Sequence, residues 1–496
     1  MAVKVDTQKE IIFGSSDPNI SRVISKKKKD GELRKLAPRI YTTNLIDSPA
    51  NIVRRNLIEI LAYRYPNALI SHRSAKEMRP TSTGDFFLTN STTRRVTDLP
   101  GIILNFVKGP KATAHDIPFM GMHISGEHRY MLENMQLSRK SGDESRVLPI
   151  SVIENKLEQL LLTGGEERLN QYRDELREVA NELGMADEFS KINNIISALL
   201  STHDARVLST DSAKARASGN PFDANRVGLF EILFDTIKDR YFVIRNNRNT
   251  DEDSFRLFSF FESYFSNYIE GTEFDIEEAK EIVDSGIPMP RRDEDSHDIL
   301  GTFKILSNRT EMRRVPTSPE ELFAILSHRH TILLEGRPHM NPGVFKMRNN
   351  RAGQTEFVDY QLVKGTLSQG FKYYSALTDP FARAIFMMFM ISEVHPFNDG
   401  NGRIARVMMN VEFVRADQSR IIVPTVFRED YILALRKLTR HKDPMAYINV
   451  MTKLHQFSDN LYGTDFTELK NYLAACNAYE EPSQAKLQII DRSIRH

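Results

Sequence analysis

A chain of 496 residues has room for two to four domains, each with its own core. Its 67 Lys+Arg against 66 Asp+Glu leave a formal net charge of +1, which excludes polyanion binding by bulk charge and requires any basic site to be local. The single cysteine, Cys476, excludes an internal disulfide and a cysteine-rich zinc site and fits a reducing interior. The N-terminus, Met1-Ala2-Val3-Lys4-Val5-Asp6, has no apolar signal core, and no uninterrupted apolar run reaches membrane-spanning length. The expectation is a cytoplasmic protein without a membrane partner.

Ser15-Ser16-Asp17-Pro18 reads as a helix start. The helix it opens runs to Lys29, with Ile20, Val23 and Ile24 inward and Arg22, Lys26, Lys27, Lys28 and Lys29 outward, and Gly31 ends it. Glu32 to Thr42 then reads as a β-hairpin whose basic residues are Arg34, Lys35 and Arg39. A basic helix followed by a basic hairpin is the layout of a winged helix-turn-helix, in which the helix enters the major groove and the wing touches phosphates. The plainer alternative is a solvated lysine face. The runs Leu36-Ala37-Pro38-Arg39-Ile40-Tyr41, Tyr65 to Ala75 and Gly84-Asp85-Phe86-Phe87-Leu88-Thr89 resemble the AbiEi-type antitoxin domains, which are winged-helix repressors. That family often has Gly where this chain has Arg39. The resemblance implies duplex DNA as a partner, bound with steep salt dependence.

From Gly101 to about Asp143, short apolar runs alternate with turn residues and are expected to add strands. Leu148 to Leu200 reads as helical, a structural connector. Thr202 to Asn220, rich in Ser, Ala, Arg and Asp without strong periodicity, reads as a linker. His115, His123 and His128 show no metal-ligand spacing.

Phe255 to Glu270 reads as a helix dense in aromatics, a core stripe rather than a stacking platform. It ends in Ser266-Asn267-Tyr268-Ile269-Glu270-Gly271, in which Ser266 and Glu270 share a face. Pro319 to Leu334 reads as a further helix, and Lys346 to Tyr360 as two strands around Arg351-Ala352-Gly353-Gln354. Asp379 and Pro380 open a helix that is apolar nearly all round and therefore buried. A second helix carries Ile404, Val407, Met408, Val411 and Val414 at helical spacing.

The turn between these two helices holds His395, Asp399, Gly400, Asn401, Gly402, Arg403 and Arg406. Glycines at a helix N-terminus make an anion nest suited to phosphate oxygens. Two forked cations suit a polyphosphate, and a carboxylate suits its magnesium ion. A histidine with a reference pKa of about 6.5 can take a proton from a hydroxyl near neutral pH. Together they point to transfer of a phosphorus-containing group.

The stretch His395-Pro396-Phe397-Asn398-Asp399-Gly400-Asn401-Gly402-Arg403-Ile404-Ala405-Arg406 matches every fixed position of the Fic (Fido) family pattern, and residues 260 to 455 resemble that family's domain. The resemblance implies a magnesium-dependent transferase that moves AMP from ATP to a Ser, Thr or Tyr hydroxyl of a target protein, or of itself, and releases pyrophosphate. It makes His395 the general base, Asp399 the metal ligand, and Gly400, Asn401 and Gly402 the α-phosphate hole. Arg403 and Arg406 would grip the outer phosphates, Ile404 and Ala405 would complete the nucleotide site, and Phe397 would be a core anchor. The family's phosphorylating branch tends to carry Lys at the position of Gly402, which favours AMP transfer here. The hairpin with Gly353 and Gln354 corresponds to the family's flap, although Lys346 stands where Arg is usual. Tyr431 lies where the family contacts adenine.

Ser266, Glu270 and Gly271 match the family's inhibition motif. A carboxylate there could pair with Arg406 and withdraw it from the γ-phosphate. The fold expected is mainly α: a helical Fic domain with a small β-hairpin flap, preceded by an α+β winged-helix region. Boundaries are expected near residues 100, 205, 300 and 455, and the last helices are open to packing or homo-oligomer contacts. Two further readings stand beside AMP transfer: a transcription regulator whose Fic domain only senses nucleotide, and a transferase using another phosphodiester donor.

Overall fold

The computed structural model describes residues 9–200, 205–353 and 355–492. They separate into two compact units, Met1–Ser218 and Gly219–His496.

The first unit opens with β1 (Ile11–Phe13), α1 (Pro18–Lys29), β2 (Arg34–Ala37) and β3 (Ile40–Thr42), the strands pairing in the order β1-β3-β2. The Asp17 carboxylate caps α1 by accepting from the Asn19 N–H, and Pro18 takes the first helical position, where a missing N–H costs nothing. Ile24 is buried with Ile12 and Leu33, with Ile20 packed against them. The helix and hairpin are thus where the sequence places them. What precedes α1 among the described residues is strand β1, not the first helix of a helix-turn-helix pair.

Next come α2 (Pro49–Arg55), α3 (Leu57–Arg64), β4 (Leu69–Ile70), α4 (His72–Glu77), β5 (Asp85–Asn90), β6 (Arg94–Leu99), β7 (Ile102–Lys108), β8 (Ile117–Phe119) and β9 (Met122–Ile124). Strands β4 to β9 form one mixed sheet in the order β6-β7-β5-β4-β9-β8. The β6–β7 hairpin turns at residues 100–101, so the boundary expected near 100 falls inside a paired hairpin. Helices α5 (Glu127–Glu133), α6 (Ile150–Leu183) and α7 (Ala186–Leu199) build a second apolar cluster around Leu157, Leu169, Tyr172 and Ile196. Two helices merge in α6 across a break at Gly165, which takes φ +68. In the expected linker, 202–204 lie outside the described residues. Asp211–Ala217 forms a helix, α8, capped by Thr210, with Ala213 buried in the α6–α7 cluster.

The second unit runs through α9 (Ala224–Ile237), α10 (Glu252–Ile269), α11 (Ile276–Ser285), α12 (Asp293–Leu306), the single turn α13 (Arg309–Met312) and α14 (Pro319–Leu333). A two-stranded hairpin follows, β10 (Arg351–Ala352) with β11 (Thr355–Glu356), then α15 (Val363–Ala376), α16 (Pro380–Val394), α17 (Asn401–Arg415), α18 (Arg428–His441), α19 (Pro444–Ser458) and α20 (Phe466–Ala475). The fold class is mainly α, as the periodicities require. Helix α16 explains why: 12 of its 15 residues are buried, so other helices must cover it on every side. Helices α12 and α19 run unbroken through residues 300 and 455, where the sequence suggested boundaries. Among the described residues no helix is long and apolar enough to cross a membrane.

Candidate active site

Helix α16 ends at His395, which takes the left-handed conformation (φ 51) and caps the helix through its N–H to Ile391 O. The imidazole Nδ1–H donates to Ser392 O at 3.1 Å. A carbonyl can only accept, so the neutral ring carries its proton on Nδ1 and leaves the Nε2 lone pair free. Burial pushes the imidazole down to about 4, with Lys346 adding to the effect; the ring is therefore a neutral base at physiological pH. The Phe357 ring, just past β11, lies flat on it at 3.5 Å between centroids and 5° between planes.

The turn is braced from within. Asn401 Oδ1 accepts from the Phe397 N–H and Asn401 Nδ2 donates to Phe397 O, both at 2.9 Å. This amide, expected in the phosphate hole, is thus spent on closing the turn, and only its backbone N–H faces a ligand. Phe397 is fully buried and stacks on His330 at 3.7 Å. His330 donates from Nε2 to Asp399 O at 3.0 Å and accepts from the Gly343 N–H on Nδ1 at 2.8 Å. Gly400 sits at φ +70, and a Cβ there would lie 2.9 Å from Leu333 Cδ2, so glycine is favoured by backbone and space together. Being glycine, it gives α17 no side-chain cap. The N–H groups of Asn401, Gly402 and Arg403 are therefore offered to an anion, reinforced by the helix dipole. Ile404 and Ala405, expected to complete the nucleotide site, are fully buried, and the Ile404 N–H already donates to Gly400 O at 3.0 Å.

The two arginines, expected to face one ligand, have different surroundings. Arg406 donates from Nε to Ser266 Oγ at 3.0 Å and from Nη2 to Ser266 O at 2.8 Å and Glu270 Oε1 at 2.7 Å. Burial works against the Glu270 charge, but Arg406 outweighs it and holds the carboxyl below its ordinary range. The Glu270 side chain keeps 35% exposure while its carboxylate reaches inward. A Cβ on Gly402 would collide with Glu270 Oε1, so the glycine of the nest is also what lets the carboxylate approach. Gly271, at φ +93, turns the chain away immediately after Glu270. Arg403 is 2% exposed and salt-bridged instead to Asp298 at 2.8 Å, with Asn267 Oδ1 at 3.4 Å and Asp399 Oδ2 at 3.5 Å.

Asp399 is the candidate metal ligand. Its side chain is 42% exposed, beside the free first-turn N–H groups. Among the described residues no group of three or more His, Cys, Asp or Glu side chains is gathered to hold a metal. One open carboxylate fits a magnesium ion that takes its remaining ligands from phosphate oxygens and water.

The hairpin β10–β11 is held to the second unit by Arg226, which donates to Glu356 O at 2.6 Å and pairs with buried Glu393, and by Arg440, which donates to Thr355 Oγ1 at 2.9 Å. At its base, Lys346 and Asn350 clasp the turn: the Lys346 N–H donates to Pro396 O at 2.8 Å, Lys346 Nζ to Asn350 Oδ1 at 2.7 Å, and Asn350 Nδ2 to Phe397 O at 2.9 Å. Gly353 sits at the exposed turn with φ +59, and Gln354 lies outside the described residues. Tyr431, expected at adenine, is buried. Its hydroxyl lies 3.8 Å from Met388 Sδ, beside Arg406, so the ring lines the arginine's pocket rather than an open face.

Of the expected DNA contacts in the first unit, Arg22, Lys26, Lys28, Lys29, Lys35 and Arg39 are exposed. Lys27 pairs with Glu32 at 2.5 Å, and Arg34 turns inward to donate to Asn44 O and Asp47 O. Sequence reasoning missed His330, Phe357, Asp298, Asn267, Asn350 and Arg226. Asn267 stands at a variable position of the inhibition motif, the others lie in no motif with a chemical signature of its own, and only folding brings them to the turn.

Residues 318–412 match the family model for the Fic/DOC family, so this segment of the second unit is a Fic/Fido domain. Similar proteins include the protein adenylyltransferase fic-1 of Caenorhabditis elegans, 30% identical over 115 residues, which are 23% of this chain and 22% of that protein. A Fido domain-containing protein of Dictyostelium discoideum is 28% identical over 107 residues, 21% of this chain and 75% of that one. The protein adenylyltransferase Fic of Drosophila willistoni is 30% identical over 89 residues, 18% of each. The chain thus spans about a fifth of the length of these adenylyltransferases. A solved structure of Fic-1 from Caenorhabditis elegans overlaps 66% of this chain and 92% of its own at 16% identity, with a TM-score of 0.36.

Proposed function

We propose that the second unit is a protein adenylyltransferase held in check by its own Glu270. The observation that carries this reading is the clamp of Glu270 on Arg406 directly over Gly402, beside a neutral imidazole with a free Nε2.

In the reaction, ATP lays its α-phosphate against the first-turn N–H groups of α17, and Arg406 serves the outer phosphates once Glu270 withdraws. His395 Nε2 takes the proton of the target hydroxyl. The hydroxyl oxygen bonds to the α-phosphorus, the bond from that phosphorus to the bridging oxygen breaks, and pyrophosphate leaves with its electron pair. A magnesium ion held by Asp399 and the phosphates would neutralise charge on the leaving group. While Glu270 stays in place, Arg406 has one guanidinium for two anions and the nest has a carboxylate at its mouth, so ATP is misplaced for attack.

The test is intact-mass analysis of the Glu270→Gly variant incubated with magnesium and ATP: the reading expects a gain of one AMP that wild type shows weakly and Glu270→Gly/His395→Ala lacks. ATP binding without any mass gain would replace it with the nucleotide-sensing regulator.

For the first unit, the exposed lysines of α1 beside the β2–β3 hairpin favour binding of duplex DNA by phosphate contacts. Retention on duplex DNA in low salt, lost as salt rises, is the expected result. Absence of retention at any salt removes the proposal.

A further inference from the structure

Asp298 lies on the second turn of α12, 2% exposed, between two arginines. Its Oδ2 is 2.8 Å from Arg403 Nη1 and 2.9 Å from Arg337 Nη2, and Arg337 Nε donates to both carboxylate oxygens at 3.1 Å. Arg337 is held in turn by Glu294 at 3.0 Å and Asp295 at 3.2 Å. Arg403 then presents Nη2 to Asp399 Oδ2 at 3.5 Å. Its Nε–H is buried without a hydrogen-bond partner, so the guanidinium is fixed from its Nη end alone.

Two consequences follow from burial and charge. Arg403 cannot leave Asp298 for a polyphosphate without stranding a buried carboxylate on one fewer partner, which is costly. The guanidinium is also planar and forked, so pinning one Nη sets the direction of the other. Arg403 is thereby a fixed strut beside the Asp399 carboxylate, unlike Arg406, whose partner Glu270 is a side chain with an exposed stem.

Building on the adenylyltransferase reading, we propose that Asp298 is a positioning residue of this site: braced by Arg337, it pins Arg403 so that Arg403 aims the Asp399 carboxylate at the cation accompanying ATP. The relay Arg337, Asp298, Arg403, Asp399 reaches the metal ligand through an ion pair at 3.5 Å and holds it from outside; removal of such outer partners typically costs about 10–100-fold in metal affinity.

The test compares full-length Glu270→Gly with Glu270→Gly/Asp298→Asn and Glu270→Gly/Asp298→Glu by calorimetric titration of ATP, once with magnesium and once with EDTA. Asp298→Asn is expected to weaken magnesium-ATP binding about tenfold and raise the half-saturating magnesium concentration by a similar factor. Metal-free ATP binding should stay within about twofold, and Asp298→Glu should recover part of the loss. Unchanged affinity with magnesium, or equal loss in both buffers, overturns the relay.

The guanidinium 15Nη signals of Arg403 give a second readout that needs no nucleotide. They should be resolved in the parent and merge in Asp298→Asn; signals that stay resolved overturn the pin. A parent that binds no ATP in either buffer fails the adenylyltransferase reading, and is told apart from failure of the pin by these signals.

Discussion

The motif turn of the second unit and the basic helix of the first both carry positive charge and use it in opposite ways. Around the turn, Arg403, Arg406 and Lys346 are buried, each aimed by partners within 3 Å. On α1, Lys26, Lys28 and Lys29 point into water. A buried guanidinium has one geometry because any other strands it or its partner; a solvated ammonium has many. The first arrangement reads as chemistry on defined atoms, the second as attraction to a charged surface whose sequence it does not read.

Substitutions on both sides test this contrast. The largest effect is expected from His395→Ala in the Glu270→Gly background. Loss of a general base costs about 10²–10⁴-fold in transfer rate, read by label from ATP; a loss below tenfold would mean that His395 is not the base. Next comes Glu270→Gly alone. A hydrogen bond to a charged group is worth about 1.5–3 kcal/mol, so freeing Arg406 should raise self-labelling by about ten- to a hundredfold. Equal labelling of wild type would dismiss the brake.

Gly400→Ala should cost roughly 1–2 kcal/mol of stability from its left-handed backbone alone, with more from the close approach to Leu333; a denaturant midpoint equal to wild type would show that the turn has room for a side chain. On the solvated side, Lys26→Ala/Lys28→Ala/Lys29→Ala should flatten the salt dependence of DNA retention by about 0.9 in log–log slope for each phosphate no longer neutralised, with stability unchanged.

The smallest effect is a flat line. The His395 imidazole, depressed to about 4 by burial, stays neutral as pH falls through the usual 6.5, so kcat/KM of the Glu270→Gly variant should hold from pH 7.5 to about 5.5. The sign follows from the depressed value: base activity is present above it and lost only as pH approaches it. An acid limb centred near 6.5 would place the ring in water.

How much of this was legible before folding varies by residue. Asp17–Pro18 and Asp379–Pro380 announced their helices because capping is a local reaction of neighbouring atoms. The nearly all-apolar α16 announced its own burial, and the twelve residues from His395 to Arg406 announced that a base, a carboxylate and a glycine-lined turn would share one helix junction. The helix from Glu166 to Leu183, bounded by Gly165 and Gly184, was legible from its charge pattern, whereas the run of α12 through residue 300 and the strand in front of α1 were not, since packing rather than propensity decides where such elements continue or stop.

The pairing of Glu270 with Arg406 was expected from the inhibition motif, but the commitment of Arg403 to Asp298 belongs to the tertiary structure. By spacing alone Arg403 and Arg406 are alike, three apart on one helix face, and only the motif at Ser266–Gly271 tells them apart. Folding sets Asp298 and Asn267 against the first and Ser266 and Glu270 against the second, from segments more than a hundred residues upstream. Local chemistry therefore determined which groups are present at the turn, while long-range packing alone decided which are committed and which can be released. A buried charge takes its role from whatever the fold brings within about 3 Å of it, and sequence spacing does not record that.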